Sequence, residues 1–170
     1  QNTTSAIRTE VNGVLELRNL TFANCFGQTS GSALFNLGES TVSGCTFRNN
    51  RSPVNFVGGG AIASGGFATT TLSITDSTFT NNRAGNGGAM YLPGGRVTIR
   101  NSSFTGNISQ GISGDSGGAI RVDGATTTIT GCTFSGNEAR TAAGGAIYNA
   151  GVTSIYNSTI SGNTAVSTGG

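Results

Sequence analysis

Asn101-Ser102-Ser103-Phe104-Thr105-Gly106-Asn107, followed ten residues later by Gly117-Gly118-Ala119-Ile120, is the stretch that decides the fold. The same phrase recurs along the chain. Its Phe slot holds Phe22, Phe47, Phe79, Phe104, Phe134 and Ile160. Its Gly-Gly-Ala slot holds Gly31-Ser32-Ala33, Gly59-Gly60-Ala61, Gly87-Gly88-Ala89, Gly117-Gly118-Ala119 and Gly144-Gly145-Ala146. Successive Phe slots lie 25, 32, 25, 30 and 26 residues apart. A unit this short cannot bury its own apolar face, so the units must stack on one another.

The residues inside the unit choose the kind of stack. Apolar residues alternate with period two, as in Leu15-x-Leu17, Leu72-x-Ile74 and Val97-x-Ile99, which is a strand signal. Gly supplies 29 of 170 residues, charged residues only 9%, and no run of helix formers occurs. Five positions before the Phe slot stand Leu17, Val42, Ile74, Ile99, Ile129 and Ile155, an unbroken aliphatic column. Three positions before it stand Asn19, Gly44, Asp76, Asn101, Gly131 and Asn157, residue types that tolerate positive φ or cap a turn. After the Gly-Gly-Ala slot, a further strand turns Leu34, Ile62, Met90, Ile120 and Ile147 inward.

These columns predict an all-β fold: a parallel β-helix solenoid of about six coils with three short strands per coil. With coils about 4.8 Å apart, the rod is on the order of 30 Å long. Asn50, Asn82, Asn107, Asn137 and Asn163 stand three positions after the Phe slot and are expected to form a structural ladder of stacked amides. The Gly-Gly pairs mark close backbone approach. The phrase breaks off at Gly169-Gly170 and the chain opens on Gln-Asn-Thr-Thr. Residues 1–170 therefore read as one β-helix domain cut from a longer solenoid, with further coils or a cap expected beyond it.

The alternation of Gly-Gly-Ala-Ile with Phe-x-x-Asn resembles the repeats of chlamydial polymorphic outer-membrane proteins. Gly144-Gly145-Ala146-Ile147-Tyr148-Asn149, followed by Asn157-Ser158-Thr159-Ile160-Ser161-Gly162-Asn163, is also similar to repeats of large bacterial and algal surface proteins. The resemblance implies a secreted or surface-displayed right-handed parallel β-helix, an adhesin passenger or a fibre building block. Its motifs are scaffold motifs, so it carries over no functional residue.

Composition narrows function by exclusion. A net charge of +2 from 9 basic and 7 acidic residues steers the chain to neither nucleic acid nor an anionic membrane. No apolar run approaches the ~20 residues of a membrane span. There is no His, the commonest general base and metal ligand, and every basic residue is Arg. Glu10, Glu16, Glu39, Asp76, Asp115, Asp123 and Glu138 read as turn and loop charges, not as a catalytic pair. Asp115 and Asp123 bracket one strand, too far apart to share a metal. No catalytic residue, metal or cofactor is expected. Cys25, Cys45 and Cys132 read as small buried thiols; the latter two share a column three coils apart, roughly 14 Å, beyond disulfide reach.

Three sets of outward residues are left. Asn19, Asn101 and Asn157 begin Asn-x-Ser/Thr sequons at bends and are candidate glycan acceptors, whereas Asn50 and Asn107 face inward. Thr78 and Thr80, Ser103 and Thr105, Thr133 and Ser135, and Thr159 and Ser161 flank the Phe slot as two hydroxyl files, a pattern like an ice-binding face, broken at Ala23 and Arg48. Two positions after the Ala of each Gly-Gly-Ala lie Phe35, Ala63, Tyr91, Arg121 and Tyr148. Phe35, Tyr91, Arg121 and Tyr148 form a candidate binding stripe. The expected function is thus a non-enzymatic extracellular adhesin or structural scaffold, its partners other protein chains or surface glycans, with stacking onto further coils or subunits. Rival readings are a fibre or coat component without soluble ligand, an ice-binding protein, and part of a polysaccharide lyase or hydrolase.

Overall fold

The computed structural model describes residues 5–28, 30–53, 58–111, 116–141 and 143–166. Short strands pair in parallel, each with its counterpart one repeat away, and wind into a right-handed β-helix of about six coils. The first six-stranded sheet contains Ile7–Thr9, Leu34–Asn36, Ile62–Ser64, Met90–Leu92, Ile120–Val122 and Ile147–Asn149. The second contains Val14–Arg18, Glu39–Ser43, Thr71–Thr75, Arg96–Arg100, Thr126–Thr130 and Val152–Tyr156. The third contains Thr21–Ala23, Thr46–Arg48, Thr78–Thr80, Ser103–Thr105, Thr133–Ser135 and Thr159–Ser161.

A fourth sheet corrects the expected three strands per coil. Arg83–Ala84, Ile108–Ser109, Glu138–Ala139 and Thr164–Ala165 pair in series, and single bridges extend the row through Arg51 to Phe26. Each of these strands has two residues, too short for alternation to show in sequence. Their inward positions hold the small side chains of Ala84, Ser109, Ala139 and Ala165, the first three of them buried.

The core is built of like upon like. Phe22, Phe47, Phe79, Phe104 and Phe134 stack with ring centroids 5.0, 4.7, 4.6 and 4.8 Å apart and planes within 8° of parallel. Isolated aromatic pairs prefer offset or edge-to-face contact. Here the coil spacing imposes the parallel stack. The aliphatic column beside it is buried from Leu17 to Ile129, while Ile155 and Ile160 in the last described coil are exposed.

Two bends per coil are carried by left-handed residues. Asn19, Gly44, Asp76, Asn101, Gly131 and Asn157 all have positive φ, which accounts for the Asn/Gly/Asp column before the Phe slot. A second column, Asn24, Asn49, Asn81, Gly106, Gly136 and Gly162, does the same just after it. At Gly88 the demand is for space: a Cβ would overlap the carbonyl oxygen of Gly118 in the next coil.

The Asn ladder is made in full. Asn107 Nδ2 donates to Asn137 Oδ1 at 2.9 Å and to the Phe79 carbonyl at 3.0 Å. Its Oδ1 accepts from the backbone N–H and the side-chain amide of Asn82, both at 3.0 Å. The same pattern joins Asn50 to Asn82 and Asn137 to Asn163. Cys25 takes the slot in the first coil, and its N–H donates to Asn50 Oδ1 at 3.0 Å. A shorter ladder runs beside the Phe column: Ser77 accepts from the Cys45 N–H, Ser102 from Ser77 and Ser158 from Cys132.

The three thiols are free. Cys45 and Cys132 are buried, but Cys25 is only half-buried, because its coil has no ladder Asn beneath it. Burial raises the thiols of Cys25 and Cys132 above the ordinary value. Among the described residues, no helix is long and apolar enough to cross a membrane.

Candidate functional site

The outward column of the first sheet places side by side the residues that sequence spacing singled out. In register along the rod run Arg8, Phe35, Ala63, Tyr91, Arg121 and Tyr148. The guanidinium of Arg8 lies 4.8 Å from the Phe35 ring centroid. Arg121 stands between two rings, 5.8 Å from Tyr91 and 5.5 Å from Tyr148. Such cation–π contacts hold flat aromatic surfaces in one orientation.

Asp123 completes the arrangement. In place of the expected turn charge, the structure makes it an acceptor for two neighbours. The Tyr91 hydroxyl donates to Asp123 Oδ2 at 2.9 Å, and Arg121 Nε donates to Asp123 Oδ1 at 2.6 Å. The Arg121 and Asp123 side chains are only 13% and 27% exposed, so this pair is more shielded than the other ion pairs. Burial first, then the hydrogen bond and charge of Asp123, push the Tyr91 phenol up to about 12, against the opposing pull of Arg121. Tyr91 therefore stays neutral and fixed as a donor.

Ala63 departs from its expected outward exposure. It is 2% exposed, the small step between Phe35 and Tyr91. Two coil spacings separate those rings, about 9.6 Å along the axis. Above this step opens a cleft of about 470 Å³, walled by Phe35, Leu37, Phe67, Tyr91 and Pro93, with Arg8 at one end. Phe67, 49% exposed, follows Gly65 and Gly66, whose φ values of 137° and 111° suit only glycine. That turn follows the inward strand Ile62–Ser64 and was not legible from the repeat, which dictates nothing between strands.

The remaining candidate residues are scattered. Asn19, Asn101 and Asn157 sit at exposed bends, whereas Asn50 and Asn107 are fully buried in the ladder. The hydroxyl files are aligned, with Ala23 and Arg48 in the second of them. Within them Ser103 bonds Thr78, and Thr105 bonds Ser135, both at 3.3 Å. Of the carboxylates, Glu10 pairs with Arg8 at 2.6 Å, Glu138 with Arg140 at 2.9 Å, and Glu16 with Arg18. These pairs, like Arg121–Asp123, are two residues apart, where strand geometry puts both side chains on one face. Glu39 and Asp76 lie at a strand start and a bend; Asp115 falls outside the described residues. Among the described residues, no group of three or more His, Cys, Asp or Glu could hold a metal.

Parallel coils stacked in register define a β-helical solenoid. The right-handed β-helix region family matches residues 65–169, and the chain belongs to that family. A 98-residue stretch is 39% identical to the metabotropic glutamate receptor-like protein R of Dictyostelium discoideum, covering 56% of this chain and 6% of that protein. The chain thus spans a small fraction of the relative's length. No solved structure matches.

Proposed function

We propose that this chain is a non-enzymatic extracellular or cell-surface scaffold that holds a partner, a surface glycan or another protein chain, on the Phe35–Tyr91–Arg121–Tyr148 face. The carrying observation is the cleft over Ala63, where a ring-bearing group meets Phe35 and Tyr91 at its sides and Phe67 at its rim. Rings already oriented by Arg8, Arg121 and Asp123 lose little freedom on binding. Pairing of four carboxylates with an Arg two residues away supports a role without acid–base chemistry. The receptor-like name of the Dictyostelium relative and the resemblance to surface-protein repeats support display outside the cell. Individually shallow contacts repeated along a rod gain strength through multivalency.

The test is binding of the purified chain to an array of immobilised surface glycans and to whole cells, alongside Tyr91→Ala/Tyr148→Ala. Truncating two aromatic anchors should weaken binding by about a hundredfold, at roughly 1.5 kcal/mol each. Adhesion that survives the double substitution undiminished removes this face as the site.

A further inference from the structure

The fourth sheet carries a second feature that the aromatic face does not explain. Its outward column runs Phe26, Arg51, Arg83, Ile108, Glu138 and Thr164. Arg51 and Arg83 are direct neighbours on adjacent coils, about 4.8 Å apart at the backbone. Like charges directly opposite one another on paired strands are destabilising. Glu138 offsets Arg83 only in part, because it is itself paired with Arg140 at 2.9 Å. Arg83 Nη2 donates to Gln110, while its Nε is buried without a partner. Burial, then Arg140 and Arg51, pull the Arg83 guanidinium below its ordinary value, with Glu138 opposing. An unsatisfied buried donor beside an only partly compensated like-charge step is a local rule broken without a structural return, the mark of a site kept for binding.

We infer that the Arg51–Arg83 step binds an oxyanion borne by a linear acidic polysaccharide lying along the rod. A carboxylate or sulfate accepts from both guanidinium groups and removes their repulsion. Gln110 and Arg140 continue the same face one and two coils beyond Arg83, so a chain bearing an anion on successive sugars follows the coil direction. Phe26, 57% exposed, extends the column past Arg51 as an apolar platform for a sugar ring. This site lies on a different sheet from the cleft and stands or falls independently of it.

The experiment measures binding of the full chain to polygalacturonate (carboxylate), dextran sulfate (sulfate) and neutral dextran. Wild type should bind at least one polyanion and not dextran, more weakly as salt rises. Arg51→Gln/Arg83→Gln should weaken that binding about a hundredfold, roughly tenfold for each charged hydrogen-bonding partner removed. Arg96→Gln/Arg100→Gln, the same charge change on the second sheet, should leave it nearly unchanged. The preferred polyanion tells carboxylate from sulfate. The inference is overturned by equal losses in the two double variants, by no binding beyond dextran, or by tighter binding to phosphatidylserine vesicles than to either polysaccharide. Thermal melting supplies a second readout. Polyanion should raise the melting temperature of wild type and not that of Arg51→Gln/Arg83→Gln. If that variant instead melts lower than wild type without ligand, the pair is a structural stabiliser and the inference fails.

Discussion

Asn107→Ala cuts the amide ladder at its centre. The substitution removes the acceptor used by the Asn82 N–H and by one Asn82 Nδ2 proton, and the donor used by the Phe79 carbonyl. Asn82 and Asn107 are fully buried, so these three groups lose their partners away from water. At about 1–3 kcal/mol for each orphaned buried group, the loss sums to about 4 kcal/mol at the lower-middle of that range. That is a large share of a typical domain's stability of roughly 5–15 kcal/mol. In urea, with a slope of about 2 kcal/mol/M, the midpoint should fall by about 2 M. A solenoid's stability is a sum over coils and their interfaces, so the lesion should also lower the slope as the two halves uncouple. Thr105→Ala, an exposed neighbour on the strand before the ladder, is the control and should change stability by no more than ~0.5 kcal/mol. A loss of less than about 1 kcal/mol for Asn107→Ala would refute the reasoning, because water would then be replacing the amide inside the coil.

Two further outcomes follow from the same geometry. Tyr91 holds its proton to about pH 12, so in ultraviolet titration of the phenolate its midpoint should drop when Asp123→Asn removes the charge, while burial keeps it raised. The sign for folding is set by the raised value: the native state retains a proton that the unfolded chain releases near pH 10, so this contribution is full below pH 10 and is lost between about 10 and 12. Gly88→Ala forces a Cβ into the Gly118 carbonyl, a backbone atom that cannot swing aside, and should cost about 3 kcal/mol by chemical denaturation.

What the sequence revealed and what it hid have a common physical origin. Phe79, Ile99 and Asn107 were readable because a parallel stack sets each residue beside its own kind, turning three-dimensional contact into repetition. The fourth strand escaped because two residues leave one inward side chain, and Ala84 or Ser109 there is indistinguishable from loop. The second left-handed column, from Asn24 to Gly162, was present as three Asn followed by three Gly but lay beside the conspicuous ladder Asn. At the site, the stripe was legible from strand alternation alone. The bond from Tyr91 to Asp123 was not: the partners are 32 residues apart, and it depends on where a turn after one strand leaves its carboxylate. Phe67 likewise owes its place over the cleft to a glycine turn outside the repeat.

The coil-to-coil pairing has a mechanical meaning. Backbone bonds such as Asn81 N–H to Thr105 O, and the amide ladder beside them, link each coil to the next along the rod axis. Tension between the rod's ends pulls directly on these links. A peeled coil such as Phe79 to Phe104 frees 25 residues, about 85 Å of extended chain at ~3.4 Å per residue. The intact rod gives up about 4.8 Å of length in exchange. The rod is thus also a compact store of tether, paid out one coil at a time under load.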